Sequence, residues 1–197
     1  MASIKKYIVR ILFPRLIAAG IALSCLSSPV HAASTQSADI HVSIVATKSL
    51  SVNTTFYSFG ALNPSTGAVS ASSITVTNDS NVLIETYTIQ GANAISDSGS
   101  VNWTLASSTG TNQFALAAEF SNSAPANTNA AFANSDTTTS PITCSATVFG
   151  NGNVSESGSA VSPTAGSNTR GLWFRIRTPN IITDYGAHTI TITLAVL

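Results

Sequence analysis

The sequence predicts an all-β fold, an antiparallel sandwich or barrel. Three observations carry that expectation. Apolar and polar residues alternate with period 2 in many short segments. Clusters of Gly, Pro, Asn, Ser and Thr separate those segments. Beyond the N-terminal leader, no window holds a convincing 3.6-residue apolar period. Alternation also implies one wet face per sheet, which favours antiparallel over parallel pairing.

The leader comes first. "MASIKKYIVRILFPR" carries Lys5, Lys6, Arg10 and Arg15 and no acid. The apolar run Leu16 to Leu26 is 11 residues long, too short to cross a bilayer as a stable helix. "SSPVHA" then sets Val30 and Ala32 at the −3 and −1 positions of a small-residue cleavage site. This order is that of a secretory signal peptide, residues 1–32, cleaved between Ala32 and Ala33. The expected mature chain, residues 33–197, is a single domain secreted to the periplasm, cell surface or medium, with no stable membrane anchor.

Cleavage changes the charge. The mature chain keeps four cations (Lys48, Arg170, Arg175, Arg177) against eight acids, a net charge of −4. It has no basic stripe for nucleic acid and no polybasic segment for a membrane surface. Ser and Thr number 26 and 25 of its 165 residues. Low charge signals disorder when apolar residues are scarce, but here they are plentiful and alternate. Only Cys144 survives cleavage, so no internal disulfide is available to this exported chain, and the core must hold it.

Nine strands are predicted. "ADIHVSIVA" alternates Ile40, Val42 and Ile44, and "NTTFYSFG" is an aromatic strand ending at Gly60. "SSITVTN" alternates Ile74 and Val76. "NVLIETYTIQ" changes phase near Leu83 and Ile84, the mark of a bulge. "SVNWTLA", "QFALAAEF", "PITCSATVF" and "GLWFRIR" follow. The closing strand sets Ile190, Ile192, Leu194 and Val196 on an inner face, toward residues such as Phe59, Trp103 and Phe174, with Thr189, Thr191 and Thr193 outward. Residues 121–141 have no period and read as a long surface loop.

"YSFGALNPSTGAVSASSITVTNDSNVLIETYTI" resembles bacterial immunoglobulin-like domains of the Hydin/abnormal-spindle type, and the opening of WxL-like and spore-coat-U-like secreted domains. The resemblance covers Tyr57 to Ile89. It implies an immunoglobulin-like, Greek-key β-sandwich of about nine strands, with a structural or surface role and no catalytic residues to carry over. The closing strand resembles the last strand of chaperone–usher pilins in its alternation, although Val196 stands where an aromatic is usual.

Candidate chemistry is sparse. His188 near Asp184 is part of a triad pattern, yet no serine lies in a G-x-S-x-G elbow. His41 and His188 read as polar residues on wet strand faces. "NDSN" offers too few oxygens for calcium and reads as a capped turn. One cysteine and two distant histidines do not make a zinc site. The threonine rows lack the fixed repeat of an ice-binding array. Cys144 shares a phase with Ile142 and Val148, which places it inside as an inert thiol.

The candidate contact surface is Trp173, Arg175 and Arg177, on the face opposite Leu172, Phe174 and Ile176. Two roles fit an exposed tryptophan beside two arginines. It stacks a sugar or aromatic partner, or its ring covers an arginine stem. The reading is thus an exported, non-catalytic surface, envelope or extracellular structural or adhesive protein, with a filament subunit as one form. It needs no cofactor or metal. Its partners are further copies of itself, other surface proteins or glycans. A secreted carbohydrate-binding module is the alternative.

Overall fold

A computed structural model describes residues 42–43, 45–99 and 101–197. The expected signal peptide with its Ala32–Ala33 junction, and Ile40, His41 and Ile44, lie outside these residues. Ser43–Leu197 clusters as one unit, and its described residues include strands and no helix.

The large sheet is built around β9 (Thr169–Arg177) and β7 (Gln113–Phe120), its two longest strands. They pair antiparallel, setting Leu116 against Ile176, Ala118 against Phe174 and Phe120 against Leu172. Ala118 makes room for the Phe174 ring, and all six are buried in the core. On its other side β9 pairs with β3 (Ile74–Asn78) along one stretch and with β2 (Gly67–Val69) along another. β1 (Leu50–Val52) flanks β3, and β6 (Thr104–Leu105) joins β7 in parallel, the one parallel pairing among the named strands. The second sheet is β11 (Ile192–Val196), β4 (Tyr87–Gly91) and β8 (Ile142–Thr143), antiparallel throughout. β5 (Ile95–Ser96) and β10 (His188–Thr189) form a small ribbon. One hydrophobic cluster draws on both sheets: Val76, Phe114, Phe120, Leu172 and Phe174 from the first, Tyr87 and Ile89 from the second.

Several expectations need correction. Nothing in "ADIHVSIVA" that is described forms a strand, and Val42 and Val45 stand in solvent. "NTTFYSFG" is not a strand either. Phe59 packs only partly against the core, edge-on to Tyr57, and Phe56 is exposed. Gly60 has open space around its Cβ position but a φ of +69°, so conformation and not a clash selects glycine there. The phase change at Leu83–Ile84 is no bulge inside a strand. β4 begins only at Tyr87, and Val82 and Ile84 are exposed. The missed strands β1, β2 and β5 have two or three residues each, too few to show a period.

The closing strand breaks in two. β10 pairs with β5 and β11 with β4, so residues 190–191 stand opposite residues 92–94. The extra residue lies on the β4–β5 side, where Ala94 turns away to exchange two hydrogen bonds with Trp103. The closing strand therefore keeps its phase. Thr191, Thr193 and Ala195 are exposed, and Ile190, Ile192, Leu194 and Val196 pack against the core. They are half-buried rather than enclosed, because β11 is an edge strand.

Residues 121–141 are not simply a surface loop. The Thr137 N–H donates to Leu116 O, and the Ala118 N–H to Ser135 O, each at 2.8 Å. Beyond β6, this segment covers the edge of β7 that β9 leaves open, and it buries Phe132, Ser135 and Thr137.

Cys144 is buried as expected, and burial pushes its thiol up to about 12. A thiol reagent should therefore label the native protein far more slowly than the unfolded chain, read by mass spectrometry. Fast native labelling would refute this placement.

Candidate interaction surfaces

β9 lies inside its sheet, with β7 on one side and β3 and β2 on the other. Its second face carries Trp173, Arg175 and Arg177, opposite Glu119, Ala117 and Ala115 of β7. The start of the 121–137 segment interacts with this face. Arg175 donates from Nε to Asn127 Oδ1 at 2.8 Å and from Nη1 to Asn129 Oδ1 at 2.7 Å. Asn127 in turn donates to Gly67 O, so the segment reaches from β9 to β2.

That covering overturns the exposure expected of Trp173. Its ring is buried, 9% exposed, and Nε1–H donates to Ser121 O at 3.0 Å. Stacking a ligand on this ring would require displacing protein around it. The two arginines are only partly covered. Arg177 lies 3.4 Å from Asp136 Oδ1 and donates to Ser107 O. With Ser65, Thr66, Thr178 and Asn180 they line a polar cleft of about 290 Å³. Burial, and then the charge of Arg177, lower the proton affinity of Arg175. The structure thus keeps Arg175 and Arg177 together at a surface cleft and removes Trp173 from it.

The second surface is the outer edge of β11. The Leu197 N–H donates to Thr86 O, so the odd residues of this strand direct their backbone groups at β4. The backbone groups of Ile192, Leu194 and Val196 then point outward. No named strand pairs with that side, and the strand "ITLAV" contains no charge or proline to blunt it.

His188 and Asp184 are close, 4.0 Å apart, but the neighbouring serine hydroxyl bonds to Asp184 and not to His188. The Ser96 hydroxyl donates to the Asp184 carboxylate at 2.6 Å. The ring nitrogens of His188 lie 2.9 Å from the carbonyl oxygens of Gly186 and Val101. The imidazole stacks on Trp103, with centroids 3.8 Å apart. The Ser96 hydrogen bond is the main cause holding the Asp184 carboxyl below its ordinary value. This cluster anchors the β5–β10 ribbon, so His188 is a packed residue and not one on a wet face.

Glu119 carries no clear signal in the sequence. Alternation places it on the polar side of "QFALAAEF", yet Ala115 and Ala117 share that side, and such small apolar neighbours signal a covered face. Glu119 is only 4% exposed. Among the described residues no helix is long and apolar enough to cross a membrane. Compared with known proteins, the chain matches no family model and no curated sequence.

Proposed function

We propose that this chain is an exported, non-catalytic structural or adhesive protein of the cell surface or envelope, whose copies join through the edge of β11. In this reading the two sheets pack as an immunoglobulin-like sandwich. The single observation that supports it is the uncharged outer edge of β11, with the backbone groups of three residues pointing outward. Such an edge is a template for strand addition, and a second copy of the same edge satisfies it. The low charge of the mature chain adds little repulsion between copies.

Thr193→Lys tests this reading. Thr193 is exposed at the centre of β11, so the monomer should keep its stability within about 0.5 kcal/mol. Light scattering of the wild type should show concentration-dependent self-association, microscopy should show filaments, and the variant should lose both. A wild type that stays monomeric when concentrated, without filaments, sinks the proposal.

The polar cleft of Arg175 and Arg177 favours a second reading, a carbohydrate-binding module. In that case a glycan array should report selective binding, most strongly to acidic sugars, and Arg175→Ala should abolish it. Binding unchanged in Arg175→Ala would exclude this cleft.

A further inference from the structure

A second cleft, of about 480 Å³, is lined by Glu119, Pro125, Ala131, Ala133, Asn134 and Thr147 among others. We propose that it binds an alkylammonium group, such as a lysine side chain carries, with the Glu119 carboxylate as the counter-charge.

Glu119 is 4% exposed, and its one hydrogen bond comes from Ser135 Oγ to Oε2 at 3.3 Å. Among the described residues, the buried side-chain polar atoms sealed from solvent without a partner are Glu85 Oε2, Tyr87 OH and Trp103 Nε1. Glu119 Oε1 is not among them, so this free oxygen keeps contact with solvent, and Glu119 lines the cleft. No Lys or Arg among the described residues answers it. Lys48 donates to Leu197 O, Arg170 to the carbonyls of Ser157, Ser167 and Thr169, Arg175 to Asn127 and Asn129, and Arg177 to Ser107 O and Asp136. A nearly buried carboxylate without a counter-ion is costly, and a cation arriving from outside removes that cost.

The chemistry of the lining selects the cation. One carboxylate is too few for calcium, which takes six to eight oxygens, and no group of three metal-binding side chains occurs among the described residues. Guanidinium prefers both oxygens of a carboxylate, and Ser135 already holds one. An ammonium is a point charge with three donors. Glu119, Asn134 and Thr147 line the cleft, and their side chains carry acceptor oxygens of the right kind. The methyl and ring carbons of Pro125, Ala131 and Ala133 suit methylenes better than sugar hydroxyls. Burial also holds the Glu119 carboxyl above the usual carboxylate range, so binding should weaken as pH falls through its titration.

The test follows the ¹³C-carboxyl signal of Glu119 in the full-length mature protein during titration with n-butylammonium. A saturable shift is expected, larger than that of the exposed Asp79 carboxylate, and absent with n-butanol. Glu119→Gln, with its fold checked by thermal melting, should weaken n-butylammonium binding about tenfold or more. The proposal is overturned if Glu119 responds no more than Asp79, if n-butanol acts as well, or if folded Glu119→Gln binds like the wild type. Tighter binding of glucosamine than of n-butylammonium would overturn the alkyl assignment. If Glu119→Gln fails to fold, the wild-type titration with its neutral control decides alone.

Discussion

Phe120→Ala is expected to cost about 3–5 kcal/mol of stability. Phe120 ends β7 with none of its surface exposed. It stands opposite Leu172 in β9, and its ring tilts against Tyr87 of the other sheet at 6.0 Å between centroids. It therefore joins the two sheets. The backbone of Gly158 passes directly over this ring. A Cβ at Gly158 would lie 2.4 Å from Phe120 Cε2 and 3.0 Å from Cys144 Sγ. Such tight surroundings on several elements collapse poorly around a cavity, which places the cost in the upper part of the usual range. Urea unfolding of wild type and variant measures it. A loss under about 1 kcal/mol would mean that the ring is not enclosed as described.

Asn78→Ala is expected to cost about 2–4 kcal/mol, with little loss of apolar packing. Asn78 is 1% exposed at the end of β3. Its Nδ2 donates to Val161 O at 2.7 Å and Leu83 O at 3.1 Å, and its Oδ1 accepts from the Ser80 N–H at 2.9 Å. The side chain thus ties β3 to the turn before β4 and to the Val161 strand-bridge with Glu85. Alanine leaves the buried Ser80 N–H without its acceptor and thins the bonding of two carbonyls. Asn78→Asp separates donor from acceptor. It keeps the bond to Ser80 but turns a carboxylate oxygen toward two carbonyl oxygens. Its penalty should shrink as pH falls, because the protonated acid donates again and the folded state holds the proton more tightly than the unfolded one. A pH-independent penalty in denaturant titrations would count against this bonding scheme.

The turn "NDSN" marks the reach of local sequence. Its composition predicts a turn capped by its own side chains, and Asn78 and Ser80 do this through a hydrogen bond two residues apart. That Asn78 also reaches Val161 depends on a contact 83 residues away, for which the local sequence holds no signal.

The all-β character, the long strands β3, β7 and β9, and the inward phase of Ile192, Leu194 and Val196 were legible because side-chain direction along a strand alternates locally. Whether the opposite face is wet is not a local property. Trp173 and Glu119 sit on such a face, and distant parts of the chain bury both there. The same reason hid the break between β10 and β11, which follows from the path of β4 and β5 while the closing strand keeps its alternation. By itself the sequence determined the class of fold and which side of each long strand is apolar. Tertiary structure decided which polar faces are covered, which edge stays open, and where an unpaired carboxylate meets a cleft, because each depends on which distant segments cover which surface.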